Sequence, residues 1–248
     1  ALVARQGSGN VPGVAGANFE LFRDLAIDNA GDIFVRGSLE LGSGGVVSLS
    51  REGIWRYAAA DSLVVRTGDT AVPGVAGGVF DLLPNTLNVS RSGQIGLDAS
   101  IEEMTGVTPN SDDGLWTYDA LGGTLVARES KTVAAQLSSV FDNFVGPTVN
   151  NNQQIGFRAS LVHGGAVNAT NDIGIWKYSN LGGSTIVREG IGGVPGLAST
   201  SFVELSDPEI NGNDQLAFYS KLTHLGAINS TNDQGIWRYT GTTGELIV

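Results

Sequence analysis

The chain has 248 residues, no cysteine, and 25 acidic against 14 basic residues, which gives a formal net charge of −11. Missing thiols exclude disulfides and cysteine chemistry, and an acidic chain is not expected to bind nucleic acid, because phosphate contacts supply most of that affinity. No run of 18 apolar residues is present, so no membrane insertion is expected. With 41% hydrophobic residues and 36 glycines, the composition indicates a folded, turn-rich protein.

Taken in chain order, the first quarter of the sequence contains four short apolar runs, at 2–5, 19–27, 33–39 and 53–57. The runs are rich in β-branched and aromatic residues and are bounded by Gly, Asn and Asp, which is typical of strands joined by tight turns. The same four runs follow in each later quarter. Because no segment keeps an apolar period of 3.6 residues, almost no helix is expected.

Three sequence markers show that the chain consists of four copies of one repeat unit. The first is a Gly-Ile-Trp-x-Tyr-like run, in which the tryptophans are spaced by 61, 60 and 61 residues: Trp55, Trp116, Trp176 and Trp237. The second is a phenylalanine with a constant spacing of 61: Phe19, Phe80, Phe141 and Phe202. The third is a Leu-Val-x-Arg-like run at the start of each unit.

Four strands per unit and a period near 60 predict an all-β fold, a four-bladed β-propeller in which each blade has four antiparallel strands. We expect one domain, 1–248, with repeat units of about 1–61, 62–123, 124–184 and 185–248. A linear array of small β domains is the alternative. Alternation places Trp and Tyr of the fourth run on one face, where they would form a core between blades. The competing interpretation of these aromatics is a platform that stacks on sugars.

The Leu-Val-x-Arg-like run occurs a fifth time, at Leu246, Ile247 and Val248, so one strand is surplus. This strand could fray, extend its own blade, or pair with another subunit by strand addition. Strand addition between identical chains produces a filament when the operation does not close. The three residues are therefore candidates for an assembly contact.

An arginine ends the first run of each unit, and together these residues are a candidate anion site at the mouth of a central channel: Arg5, Arg66, Arg128 and Arg188. The alternative is that each arginine pairs with a nearby carboxylate, such as Glu129 or Glu189, since an unpaired ring of cations would repel itself.

An acidic loop precedes three of the tryptophan strands, and its carboxylates are candidate Ca²⁺ ligands: Asp112, Asp172 and Asp233. The alternative is that these residues only cap turns. No other cofactor is expected. His163 and His224, 61 residues apart, are interpreted as loop residues because no cluster of ligand spacing surrounds them.

The turn and third run, with Gly-Ile-Trp and Leu-Val-Ala-Arg, resemble bacterial secreted tandem-repeat proteins with an Asn-x-x-Gly-x-x-Ala-Phe motif. Asn211, Ala217 and Phe218 carry the motif in the fourth unit, where Asp214 replaces the glycine that the first two units keep. Val-Pro-Gly segments at Val11, Val72 and Val194 are also similar to that family. The resemblance implies an exported protein, often with a C-terminal sorting anchor, of unassigned activity.

We therefore expect a secreted protein, extracellular or on the cell surface, and a small first residue, Ala1, fits cleavage after a signal peptide. The expected function is a non-enzymatic structural or interaction protein that self-assembles as a filament or array, or docks on a larger surface assembly. Its partners would be copies of itself or other surface proteins. The alternative function is a carbohydrate- or Ca²⁺-binding propeller module with a glycan ligand. A hydrolase is not expected, since the sequence offers no nameable acid–base pair.

Overall fold

Every regular element of the chain is a strand or a short turn. A computed structural model describes residues 2–197 and 199–248, and within them the chain forms 18 strands and two 3₁₀ turns, Ser43–Gly45 and Ser48–Ser50, with no α-helix. Ala1, the residue predicted to follow a cleavage site, lies outside the described residues. None of the described segments is a helix of the length and hydrophobicity that crossing a bilayer requires.

The strands form four antiparallel sheets, one for each repeat. Sheet 1 contains β1 (Phe19–Ile27), β2 (Ile33–Leu39), β3 (Glu52–Tyr57) and β4 (Ser62–Arg66). Sheet 2 contains β5 (Phe80–Leu82), β6 (Asn88–Val89), β7 (Ile95–Ile101), β8 (Asp113–Asp119) and β9 (Gly122–Arg128). Sheet 3 contains β10 (Phe141–Val149), β11 (Ile155–Leu161), β12 (Gly174–Ser179) and β13 (Gly182–Arg188). Sheet 4 contains β14 (Phe202–Leu205), β15 (Glu209–Ile210), β16 (Gln215–Leu222), β17 (Gln234–Thr240) and β18 (Thr243–Leu246).

Each sheet is a meander in which neighbours in sequence pair, and in sheets 2 and 4 the first strand position is divided into two short strands. The predicted fold class, all-β with four propeller-type blades of antiparallel strands, is confirmed. The chain divides into two compact units, residues 1–125 and 126–248, with the boundary inside β9. Sheets 1 and 2 lie in the first unit and sheets 3 and 4 in the second, apart from the end of β9.

The fourth strand of each sheet is the Leu-Val-x-Arg-like run that begins the next sequence repeat. The C-terminal copy therefore completes sheet 4: the Ile236 N–H donates to the Val248 carbonyl at 2.6 Å, and the Ile247 N–H donates to the Ile236 carbonyl at 2.8 Å. The N-terminal copy, residues 2–5, forms no strand. The surplus run is thus the N-terminal one. The Ile247 N–H and the Val248 carbonyl already bond to Ile236, so these two groups do not pair with another subunit.

The four tryptophans are the centre of the core, as the alternation of the fourth run predicts. All four have 0% exposure. Each receives a phenylalanine edge-on, with ring centroids 4.9 to 5.1 Å apart, in the pairs Phe19–Trp55, Phe80–Trp116, Phe141–Trp176 and Phe202–Trp237. Such edge-to-face pairs add to the stabilisation that burial alone provides. The interpretation of these rings as an exposed sugar platform is wrong.

The Val-Pro-Gly segments supply the acceptors that the buried indole N–H groups need. Trp55, Trp116 and Trp237 donate to the carbonyls of Pro12, Pro73 and Pro195 at 3.2, 3.0 and 3.4 Å. The third repeat lacks this segment, and Trp176 donates instead to the Thr185 hydroxyl at 3.1 Å, which donates onward to the Ala135 carbonyl at 2.6 Å. An indole N–H left without an acceptor would cost about 1–3 kcal/mol.

The two faces of a sheet pack differently within each unit. In the first unit, the tryptophan-bearing face of sheet 2 packs in one cluster with Phe34, Ile54 and Val65 of sheet 1. In the second unit, the tryptophan-bearing face of sheet 4 packs in one cluster with Ile175, Ile186 and Val187 of sheet 3. Sheet 1 therefore buries Ile54 and sheet 3 buries Ile175 beneath the following sheet.

In sheets 2, 3 and 4 the tyrosine of the fourth run packs against a glycine on the next strand: Gly123, Gly183 and Gly244. A Cβ built on Gly183 would lie 2.2 Å from ring carbons of Tyr178, whereas a Cβ on Gly192 would meet nothing within 4 Å. We expect Gly183→Ala to lower the free energy of unfolding by about 1–3 kcal/mol, because the ring must move from a packed site. Urea unfolding measures the loss, and Gly192→Ala is the matched control. Equal stability of the two variants would contradict the packing.

Candidate functional site

The second unit contains an open cleft of about 650 Å³ on the face of sheet 4 that lies opposite Trp237. Tyr219 of β16 and Ile236 of β17 form its apolar wall, and Arg158 of β11 and residues 204–207 border it. Ile236 occupies the repeat position of Ile54 and Ile175, which are fully buried, yet it is 44% exposed. Tyr219, its cross-strand partner, is 58% exposed. Ile236 therefore exposes apolar surface at a position that is buried in the first and third repeats.

The polar side of the cleft is an ion pair held by a glycine. Arg158 Nε donates to Asp207 Oδ1 at 2.7 Å. A Cβ on Gly146, whose φ is +59°, would lie 2.5 Å from the Asp207 side chain. Only glycine occupies this positive-φ position easily, and only glycine leaves room for the carboxylate. The pair is thus positioned by the backbone of β10 as well as by its own charges.

Hydrogen bonds fix the backbone of Tyr219 to Ser206, which directly follows β14. The Ser206 hydroxyl accepts the Tyr219 N–H at 3.0 Å, and the Ser206 N–H donates to the Tyr219 carbonyl at 3.0 Å. Nearby, Lys221 Nζ donates to Glu204 Oε2 at 2.6 Å. The Tyr219 ring therefore projects from a residue whose backbone N–H and carbonyl are both hydrogen-bonded to Ser206.

Glu189 is the carboxyl group that its surroundings perturb most clearly in this region. It is only 9% exposed, and its Oε1 accepts the N–H of Leu205, a cleft residue, at 3.2 Å. Burial raises the pKa of Glu189 to about 7; the negative charges of Asp172 and Glu204 also raise it, while the Leu205 N–H and Arg158 oppose the shift. A carboxyl group that can hold a proton near neutral pH therefore lies in electrostatic contact with two cleft residues.

The sequence analysis did not identify Tyr219 or Asp207, because its candidate residues were those that recur between repeats. The position of Tyr219 in the third run carries a charged residue in every other repeat: Arg36, Asp98 and Arg158. That single exchange of charge for an aromatic ring was the available signal. It did not show by itself that the ring is exposed.

The four predicted anion-site arginines have separate surroundings. Arg66, at the end of β4, pairs with Asp69, and Arg188, at the end of β13, donates from Nε to the Asn171 carbonyl at 3.0 Å. Arg128 ends β9, and Arg5 precedes the first strand. A common site for all four stays a prediction.

Two of the three predicted calcium ligands face a histidine. Asp172 lies 2.8 Å from His163 Nε2, and Asp233 lies 2.8 Å from His224 Nε2, whereas Asp112 accepts the Ile101 N–H through its backbone carbonyl at 2.9 Å. In the part of the chain that the structure describes, no three Asp, Glu or His side chains cluster as metal ligands. The Ca²⁺ hypothesis stays untested, and the sequence spacing had not revealed the two His–Asp pairs.

Four propeller-type blades with a repeated Trp–Phe core define a tandem-repeat β protein. The chain belongs to a family of unknown function, DUF7453, whose model matches residues 1–129 and again residues 120–248. The double match confirms the predicted internal repetition. Curated protein sequences give no match.

Solved structures of two fungal glycosidases are similar to this chain. An α-L-arabinanase of Penicillium chrysogenum, complexed with arabinobiose, is 12% identical over 91% of this chain and 65% of its own, with a TM-score of 0.39. An α-L-arabinofuranosidase of Fusarium graminearum, with an iminosugar inhibitor, is 9% identical over 95% of this chain and 72% of its own, with a TM-score of 0.38. The chain thus spans about 65% of the length of the first of these enzymes.

These comparisons contradict two sequence predictions. The protein was expected to be a non-enzymatic structural or interaction protein that self-assembles or docks on a surface assembly, and enzymatic activity was not expected. The similar structures are instead those of an α-L-arabinanase and an α-L-arabinofuranosidase. Both predictions are wrong. The assembly contact at Leu246, Ile247 and Val248 stays a prediction, while Ile247 and Val248 pair with Ile236 and so extend their own sheet.

Glu189 predicts a specific dependence of stability on pH. Its pKa is about 7 in the folded protein, above the ordinary value of 4.5, so the folded state binds more protons between these values and stability falls as pH rises through this window. We expect Glu189→Gln, which keeps an acceptor for the Leu205 N–H, to remove most of this fall and to stabilise the protein at pH 8 by roughly 1 kcal/mol or more.

Urea unfolding at intervals from pH 4.5 to pH 8 measures this effect. Exposed Glu209 provides the matched control, Glu209→Gln. A parallel pH dependence in the Glu189→Gln variant and the unmutated protein would show that Glu189 does not titrate as described.

Proposed function

We propose that the protein binds carbohydrate in the cleft of sheet 4. The observation that carries the proposal is the exposed ring of Tyr219, fixed by Ser206 and placed beside Ile236 in a cleft with an Arg158–Asp207 pair. Exposed aromatic rings with a rigid backbone are suited to stacking on the C–H face of a sugar ring, because they bury area at little cost in conformational entropy.

The polar groups of the cleft complement the other face of a saccharide. Hydroxyl groups of a sugar donate to carboxylates and accept from guanidinium, and such charge-assisted hydrogen bonds are stronger than neutral ones. Asp207, Glu204 and Glu209 supply acceptors, and Arg158 supplies donors, around the apolar wall. The combination of one apolar surface with a few directed polar groups is typical of small-molecule sites.

Isothermal titration calorimetry tests the proposal, with arabinobiose and a panel of neutral and acidic oligosaccharides as probes. We expect Tyr219→Ala to weaken binding by at least tenfold, and Tyr219→Phe, the matched control that keeps the ring, to bind within about threefold of the unmutated protein. Failure of every saccharide to bind, or unchanged affinity in Tyr219→Ala, would contradict a saccharide site at this ring.

An extracellular location on a bacterial surface accompanies this proposal. It is supported by the resemblance of the repeats to exported proteins with an Asn-x-x-Gly-x-x-Ala-Phe motif, carried by Asn211, Ala217 and Phe218. Polysaccharide ligands are abundant outside cells, so the location and the proposed ligand agree.

A further inference from the structure

Three guanidinium nitrogens at one junction of the first unit lack hydrogen-bond acceptors. Arg66 is about nine-tenths buried, and its Nε and Nη1 atoms have no partner; Arg51 Nε is likewise buried and unpartnered. A buried N–H group without an acceptor is unfavourable, because it loses its bonds to water and gains none. These three N–H groups are therefore donors that no acceptor of the protein uses.

In the second unit, the equivalent arginine has hydrogen-bond acceptors. Arg188, the repeat equivalent of Arg66, donates to the Asn171 carbonyl at 3.0 Å and to Asn171 Oδ1 at 3.2 Å, and the charge of Asp172 acts on it as well. Its guanidinium is thus held by the loop that precedes Trp176.

In the first unit these two acceptors have been replaced. Ser50 stands at the position of Asn171, and Arg51 stands at the position of Asp172. The Ser50 hydroxyl is used within its own 3₁₀ turn, where it accepts the Val47 N–H at 3.2 Å. The first unit therefore has a second cation, Arg51, where the second unit has the Asp172 carboxylate, and the ion-pair partner of Arg51 is Glu20 on β1.

Backbone contacts place the two arginines at one junction. The Thr67 N–H donates to the Glu52 carbonyl at 3.0 Å, and a Cβ on Gly68 would lie 2.7 Å from the Leu49 carbonyl oxygen. The segments 66–68 and 49–52 consequently lie against each other, with Arg66 and Arg51 next to the contact. Arg66 also pairs with Asp69, whose side chain is 55% exposed.

We propose that Arg51 and Arg66 form a binding site for a small oxyanion, with the chemistry of phosphate or sulfate. The planar fork of a guanidinium matches two oxygens of such an anion. Arg51 pairs with Glu20 and Arg66 with Asp69 through Nη2 in each case, so the anion is bound by the remaining N–H groups, at Arg51 Nε and at Arg66 Nε and Nη1. The Asp69 carboxylate occupies one edge of this fork and, being exposed, can move into solvent when an anion enters. The site is separate from the cleft of sheet 4, since all its residues belong to the first unit.

Titration with inorganic phosphate tests the site, with chloride adjusted to constant ionic strength, followed by calorimetry and by thermal unfolding. The unmutated protein should bind phosphate saturably with a rise in Tm. Asp69→Asn, which removes the competing carboxylate, should bind phosphate at least threefold more tightly. Arg66→Met and Arg51→Met should each weaken binding at least tenfold, while Arg91→Met, at an exposed arginine elsewhere in the unit, should leave it unchanged.

Two results would overturn the proposal. One is the absence of saturable phosphate binding in both the unmutated protein and Asp69→Asn. The other is unchanged affinity in a folded Arg66→Met or Arg51→Met variant. Should both arginine variants fail to fold, Asp69→Asn decides the question, because unchanged affinity there contradicts competition for the Arg66 fork.

Discussion

The structure depends on the burial of one indole ring in each repeat. A tryptophan can enter a core of this kind only if its N–H finds an acceptor, because the unpaired group would offset much of the gain from burying the ring. In three repeats a proline carbonyl from the segment before the first strand accepts it, and in the third Thr185 accepts it and passes the bond to Ala135. This bond ties the loop that enters each sheet to the middle of that sheet.

The order of strands follows from where each entering loop must lie. Once the segment containing Pro73 covers Trp116, the run that precedes it, β4, is already paired at the edge of sheet 1. Each sheet consequently ends with residues that open the next sequence repeat, which links consecutive sheets through the chain. At the C-terminus the same pattern makes 246–248 the natural edge of sheet 4 rather than a free strand.

The sequence was informative about whatever recurs with a fixed period. Alternation within the fourth run placed Trp and Tyr on the buried face, and turn residues located the strand ends, because both depend on local geometry. The sheet to which the Leu-Val-x-Arg-like run belongs could not be predicted in this way, since pairing with either neighbour satisfies the same pattern. The bond from Leu205 to Glu189 and the two His–Asp pairs were also hidden, because they join residues 16 and 9 positions apart across turns.

Positions at which one repeat differs from the others are the best candidates for ligand binding. Recurring residues are satisfied where their partners are also present: Ile54 and Ile175 are covered, and Arg188 is bonded by Asn171. A change in one copy breaks this mutual satisfaction, so Tyr219 exposes a ring where the other repeats carry a charge, and Arg51 removes the acidic residue that stands at the equivalent position beside Arg188. A ligand gains most where the fold leaves apolar surface exposed or N–H groups unpaired. In a protein of near-identical modules, the residues that fit the repeat least well are therefore the first candidates for its chemistry.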